Sequence, residues 1–120
     1  MSADLDISDR IARLEPFEER FGVTLDALSA RLEYHQRGFN EFAVGGTVRV
    51  FGEVHSRTGQ TIPSSVLVRV GVYDLDGRVM ASSLGFLIDA RTFFLVEPFQ
   101  LDRSIPVQSV SRVLVYPSPA

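Results

Sequence analysis

The chain has no cysteine, no lysine, no tryptophan and only two histidines. Without cysteine there are no disulfides, thiolate metal sites or cysteine nucleophiles. Without lysine, all twelve basic residues are arginine, the mark of a GC-rich genome, and no phosphate-binding loop can be completed. Gly45–Gly46 therefore reads as the entry to a strand. No apolar run approaches the ~18–20 residues of a membrane span. The opening MSADLDISDR lacks a basic segment followed by an apolar one, so it is neither a secretory signal nor a transit peptide. The expected location is cytoplasmic. A net charge of −3 argues against a nucleic-acid backbone binder.

What is present fits one domain of 120 residues with a real core. Hydrophobic residues make up 45%, charged residues 22%, and nine residues are Phe. Charge is uneven: residues 1–26 hold seven acids and three Arg, a net of −4, and the remainder holds eight acids and nine Arg, a net of +1. This split suggests an N-terminal helical segment, 1–22, ahead of a β-sandwich body, 23–120.

Ile7, Ile11, Leu14, Phe17 and Phe21 recur at steps of three and four, one face of a helix over 7–21. Ser8 or Asp9 is its cap, Pro16 kinks it or opens a second short helix, and Gly22 stops it. Residues 23–36 fit a helix through Leu25, Leu28 and Leu32, or a strand through Leu28, Ala30, Leu32 and Tyr34; we lean to a strand from about Leu28. QRGFNE then forms a loop. From Phe42 onward the pattern is β. Val48, Val50, Gly52 and Val54 share one face, and so do Val66, Val68, Val70 and Val72. Asp74–Gly77 signals a hairpin, with Arg78–Ser83 returning. Thr92–Leu101, with Pro98 at an edge or bulge, and Val107–Tyr116 complete the set, and Pro117 and Pro119 end the last strand.

Val70-Gly71-Val72-Tyr73-Asp74, leading into Leu75-Asp76-Gly77-Arg78-Val79, resembles the FxLYD-type domains of bacteria and archaea. Gly52-Glu53-Val54 and Pro98-Phe99 are further matches, and the resemblance spans about residues 28–116. It implies a small immunoglobulin-like sandwich, a module-like role and no catalytic residues.

Several arrangements invite chemistry. Asp74 and Asp76 are half a calcium loop, but the acids that would complete one are absent, and a plain β-turn explains them. His55 and Glu53 share a strand face; zinc would also need His35 and a carboxylate such as Glu33. No G-x-S-x-G elbow surrounds any Ser. Arg49/Phe51, Arg69/Tyr73 and Arg91/Phe93/Phe94 are better read as cross-strand and core packing than as a nucleic-acid platform.

The expectation is a mainly β protein: an immunoglobulin-like antiparallel β-sandwich with a short N-terminal amphipathic helix. Its function is non-catalytic interaction, through Ile11, Leu14, Phe17 and Phe21, with a second copy (a homodimer) or another protein. No enzyme activity, cofactor, metal, nucleic acid or membrane span is expected. The alternative is a small-molecule or lipid carrier with a pocket lined by Phe86, Phe93, Phe94 and Phe99.

Overall fold

Alternation at every second residue organises the two central strands. In β4 (Val44–Ser56), Val48, Val50 and Val54 point into the core, and β5 (Val66–Tyr73) buries Val66, Val68, Val70 and Val72 in the same way. Branched side chains on a pleated face suit strand geometry. The computed structural model describes residues 2–36, 44–83, 85–106 and 110–120.

Two sheets share one core. The first adds β1 (Ser2–Asp6), β3 (Val23–Gln36) and β8 (Val96–Ile105) to β4, in the order β1-β3-β4-β8, all antiparallel. The second adds β2 (Ile11–Arg13), β6 (Val79–Ser82) and β9 (Arg112–Pro119) to β5, in the order β2-β9-β5-β6. A short strand β7 (Phe86–Ile88) also pairs with β5. The β2–β9 pairing is parallel. Leu25, Leu32 and Phe99 of the first sheet and Val113 and Val115 of the second belong to the same buried cluster.

The helix expected over 7–21 is replaced by three elements. β1 is followed by a 3-10 turn at Ser8–Arg10, then β2, then a seven-residue helix α1 (Glu15–Phe21). The unpaired edges of β3 and β9 supply main-chain partners that a helix would forgo. Asp6 makes the crossing between sheets: its carboxylate accepts from the Ser8 N–H (2.9 Å) and hydroxyl (2.6 Å). The Ile7 N–H donates to the Ala30 carbonyl (2.9 Å), and the Ile7 side chain drops into the core. Pro16 stands in the first turn of α1, where its missing N–H costs nothing, and Gly22 closes the helix at φ +69°. Segment 1–22 contributes a strand to each sheet.

Other expectations need adjustment. Residues 23–36 are strand throughout. The segment expected in Thr92–Leu101 begins later, at Val96, with Pro98 on a sheet edge. The last strand begins at Arg112 and continues through both prolines. The QRGFNE loop after Gln36, Phe42, and Val107 lie outside the described residues. What holds of the expected class is the mainly β, two-sheet architecture.

A β-bulge interrupts the β3–β4 pairing between Asp26 and Ser29, with Ala27 at φ +51°. It brings Leu28 over Gly52, whose register partner on β8 is Phe99. A Cβ on Gly52 would lie 2.6 Å from both Leu28 Cδ2 and Phe99 Cζ, so any other residue forces these side chains to shift.

Candidate functional site

Helix α1 is fixed by a buried ion pair. Glu18 is fully buried and accepts three hydrogen bonds: two from the Arg13 guanidinium (3.1 and 2.7 Å) and one from the Leu25 N–H (3.0 Å). β2, α1 and β3 are thereby tied at one carboxylate. The bond to Glu18 raises the Arg13 pKa further above its ordinary value.

So anchored, α1 turns Phe17, Arg20 and Phe21 toward the end of β9; positions i, i+3 and i+4 share one helix face. Together with Pro117, Ser118 and Pro119 they line an apolar groove of about 130 Å³. Phe17 meets Tyr116 edge-on, with ring centres 6.4 Å apart. Pro117 and Pro119 explain why this stretch of β9 stays open. Neither has an N–H to give, so their pairs with Val68 and Val66 are non-hydrogen-bonded ones. Their nitrogens face away from β5, beyond the three residues that β2 covers. That edge offers no donor at either proline to an incoming strand.

The groove continues onto the outer face of the second sheet. Leu67 and Tyr73 of β5, Leu114 and Tyr116 of β9 and Leu87 of β7 lie on the side opposite the buried valines. Phe17 is 42% exposed and Leu87 53%. Three arginines punctuate this surface. Arg69 donates to the Ser118 hydroxyl (2.7 Å), Arg112 lies 4.4 Å above the Tyr73 ring, and Arg20 lines the groove. Among the described residues none of the three has a carboxylate within ion-pair distance, and no outward strand position of this sheet carries Asp or Glu.

The outer face of the first sheet is different. Asp6, Arg31, Arg49 and Asp102 stand in one cross-strand row, and Arg49 also pairs with Glu33 (3.1 Å). This is an ordinary solvated face of mixed charge.

The expected interaction residues disperse. Ile7 is core. Ile11 pairs with Val113 on β2 and packs against the core, and half-buried Leu14 precedes the helix. Phe17 and Phe21 do come together, in the groove. Of the expected carrier lining, Phe93 and Phe99 are buried core, Phe86 packs on Phe99 with ring centres 6.3 Å apart, and Phe94 is 61% exposed. His35 and His55 pair with Gly45 and Thr24, at opposite ends of the β3–β4 ladder, about 30 Å apart at strand rise. His55 instead touches Glu53 (3.3 Å) and approaches Asp26 (4.0 Å), and among the described residues no three such groups are placed to hold a metal. Asp74 closes its turn by accepting from the Asp76 and Arg78 N–H groups, both 2.9 Å. No helix of the described residues is long and apolar enough to cross a membrane.

Two features escaped sequence reading. The Arg13–Glu18 pair spans a strand–helix junction, which no spacing rule marks. The apolar outer face did leave a trace: Val66-Leu67-Val68 and Val113-Leu114-Val115-Tyr116 lack the polar alternation of a solvated strand.

No family model matches the chain, and no curated protein matches it. A solved structure of a DUF1425 family member from Shewanella sp. pv-4 is similar at 12% identity over 74% of this chain and 89% of that one, with a TM-score of 0.37. Neither comparison points to the FxLYD type in particular.

Proposed function

We propose that the chain is a non-catalytic protein-interaction module that docks through the outer face of its second sheet and the adjoining α1–β9 groove. The observation that carries this reading is the contrast between the two outer faces: one is a charge ladder, the other an apolar strip running from Phe17 through Tyr116 to Leu67 and Leu87. Contiguous exposed apolar surface marks interaction sites in water-soluble folds. The groove suits an anchoring side chain; at about 130 Å³ it falls below the ~300–1,000 Å³ of small-molecule sites. Kinship with FxLYD-type domains is part of the same reading, supported by Tyr73–Asp74 leading into the Asp–Gly turn, with Tyr73 on the docking face.

The test is selection from a random dodecapeptide library displayed on phage, against the immobilised full chain. A Phe17→Asp/Leu87→Asp variant serves as control, because both side chains are exposed and their loss spares the core. Peptides that bind the wild type and not the variant are the expected result. No enrichment, or enrichment indifferent to the two substitutions, overturns the proposal.

A further inference from the structure

We infer that the partner presented to this face is an acidic peptide segment carrying an aromatic or aliphatic anchor. The inference rests on the docking reading above and adds the partner's chemistry. The anchor follows from the groove, whose walls are Phe17, Phe21, Pro117 and Pro119. The acidity follows from charge. Arg20 stands at the groove, Arg69 reaches it through Ser118, and Arg112 lies farther along the same face on Tyr73. Within the described residues none of these guanidinium groups is ion-paired, so each retains donors for a carboxylate. The helix acids do not offset them: Glu18 is buried against Arg13, and Glu15 and Glu19 each lie two positions from Phe17, on the opposite side of the helix.

The same arithmetic opposes a second copy of this chain. A two-fold interface sets a patch against itself. Here three arginines and no strand carboxylate would meet their own image, a like-charge juxtaposition that disfavours association. A protein whose net charge is −3 nevertheless confines this surface to positive charge, the complement of an acidic segment.

The experiment uses peptides from the selection, synthesised singly and titrated by fluorescence anisotropy against the full chain. Enriched peptides should carry net negative charge around a Phe, Tyr, Trp or Leu. Binding should weaken about tenfold or more in Arg20→Glu/Arg112→Glu, both exposed positions, and fall as salt rises. Loss of binding in Phe17→Asp/Leu87→Asp with neutral or basic enriched peptides, or with no effect of the arginine reversals, overturns the acidic partner and leaves the docking reading standing. Two further measurements distinguish other occupants. Co-sedimentation with vesicles of equal parts phosphatidylglycerol and phosphatidylcholine, without peptide binding, assigns the face to an anionic membrane and refutes the inference. A dimer by light scattering that Phe17→Asp/Leu87→Asp dissociates assigns it to a second copy and refutes it equally.

Discussion

Replacing Arg13 by methionine keeps most of the aliphatic stem and removes the charge. Glu18 would then be a fully buried carboxylate holding only the Leu25 N–H. Removing one member of a buried ion pair typically costs ~3–5 kcal/mol, because the remaining charge is uncompensated. Arg13 is 34% exposed, so water already screens its side of the pair, which places the expected loss at the low end, about 3 kcal/mol. With a urea slope of about 2 kcal/mol/M for a domain of this size, the midpoint should fall by about 1.5 M. Adding Glu18→Gln removes the stranded charge and keeps an acceptor for Leu25. The double variant should therefore recover to within about 1.5 kcal/mol of the wild type. Urea unfolding followed by circular dichroism on the two single variants and the double closes a thermodynamic cycle. A loss below about 1 kcal/mol in Arg13→Met, or no recovery in the double variant, would refute the claim that this pair anchors α1.

Three further outcomes are expected. Gly52→Ala should cost about 1–3 kcal/mol in the same assay, since the new methyl meets Leu28 and Phe99 at 2.6 Å and both are packed against the core. Ala27→Gly should stabilise by about 0.5–1 kcal/mol, because glycine accepts the left-handed bulge conformation at φ +51° more readily than alanine; destabilisation would show that the Ala27 methyl matters more than its backbone. Asp6 has its pKa lowered by the Ser8 hydroxyl and N–H, and Asp89 by Arg91. A depressed folded pKa gives stability that is present above the ordinary aspartate value of 3.8 and is lost as pH falls through the folded value, so Asp6→Asn should flatten the acid limb of a stability-against-pH curve.

The strands with alternating valines were legible because one face of each is buried and the period of two is unambiguous. The Asp74–Gly77 turn was legible from its chemistry: Asp74 accepts two backbone N–H groups and Gly77 takes φ +81°. The N-terminal segment was not. Ile7, Ile11, Leu14, Phe17 and Phe21 have helical spacing, yet Ile7 is inserted between the sheets, Ile11 is set by pairing with Val113, and only the last two lie on a helix. Their periodicity arises from tertiary contacts that local pattern cannot distinguish from a helix face. Phe17 and Phe21 share one face of the short helix α1. Among the arginines of the same site the sequence pattern singles out only Arg69, beside Tyr73, because only the β5–β9 register brings Arg69 and Ser118 together, and Tyr73 with Arg112.

The parallel pairing of β2 with β9 has a mechanical consequence. Tension entering the chain at Ile11 and leaving at Pro119 pulls these neighbours along their length in opposite directions, so their inter-strand bonds are loaded in shear and share the force, where an antiparallel pair pulled from adjacent ends would unzip one bond at a time. The Arg13–Glu18 fork, at the third pair, ties the end of β2 to α1. Stretched in this direction, the domain would resist as a clamp and yield abruptly.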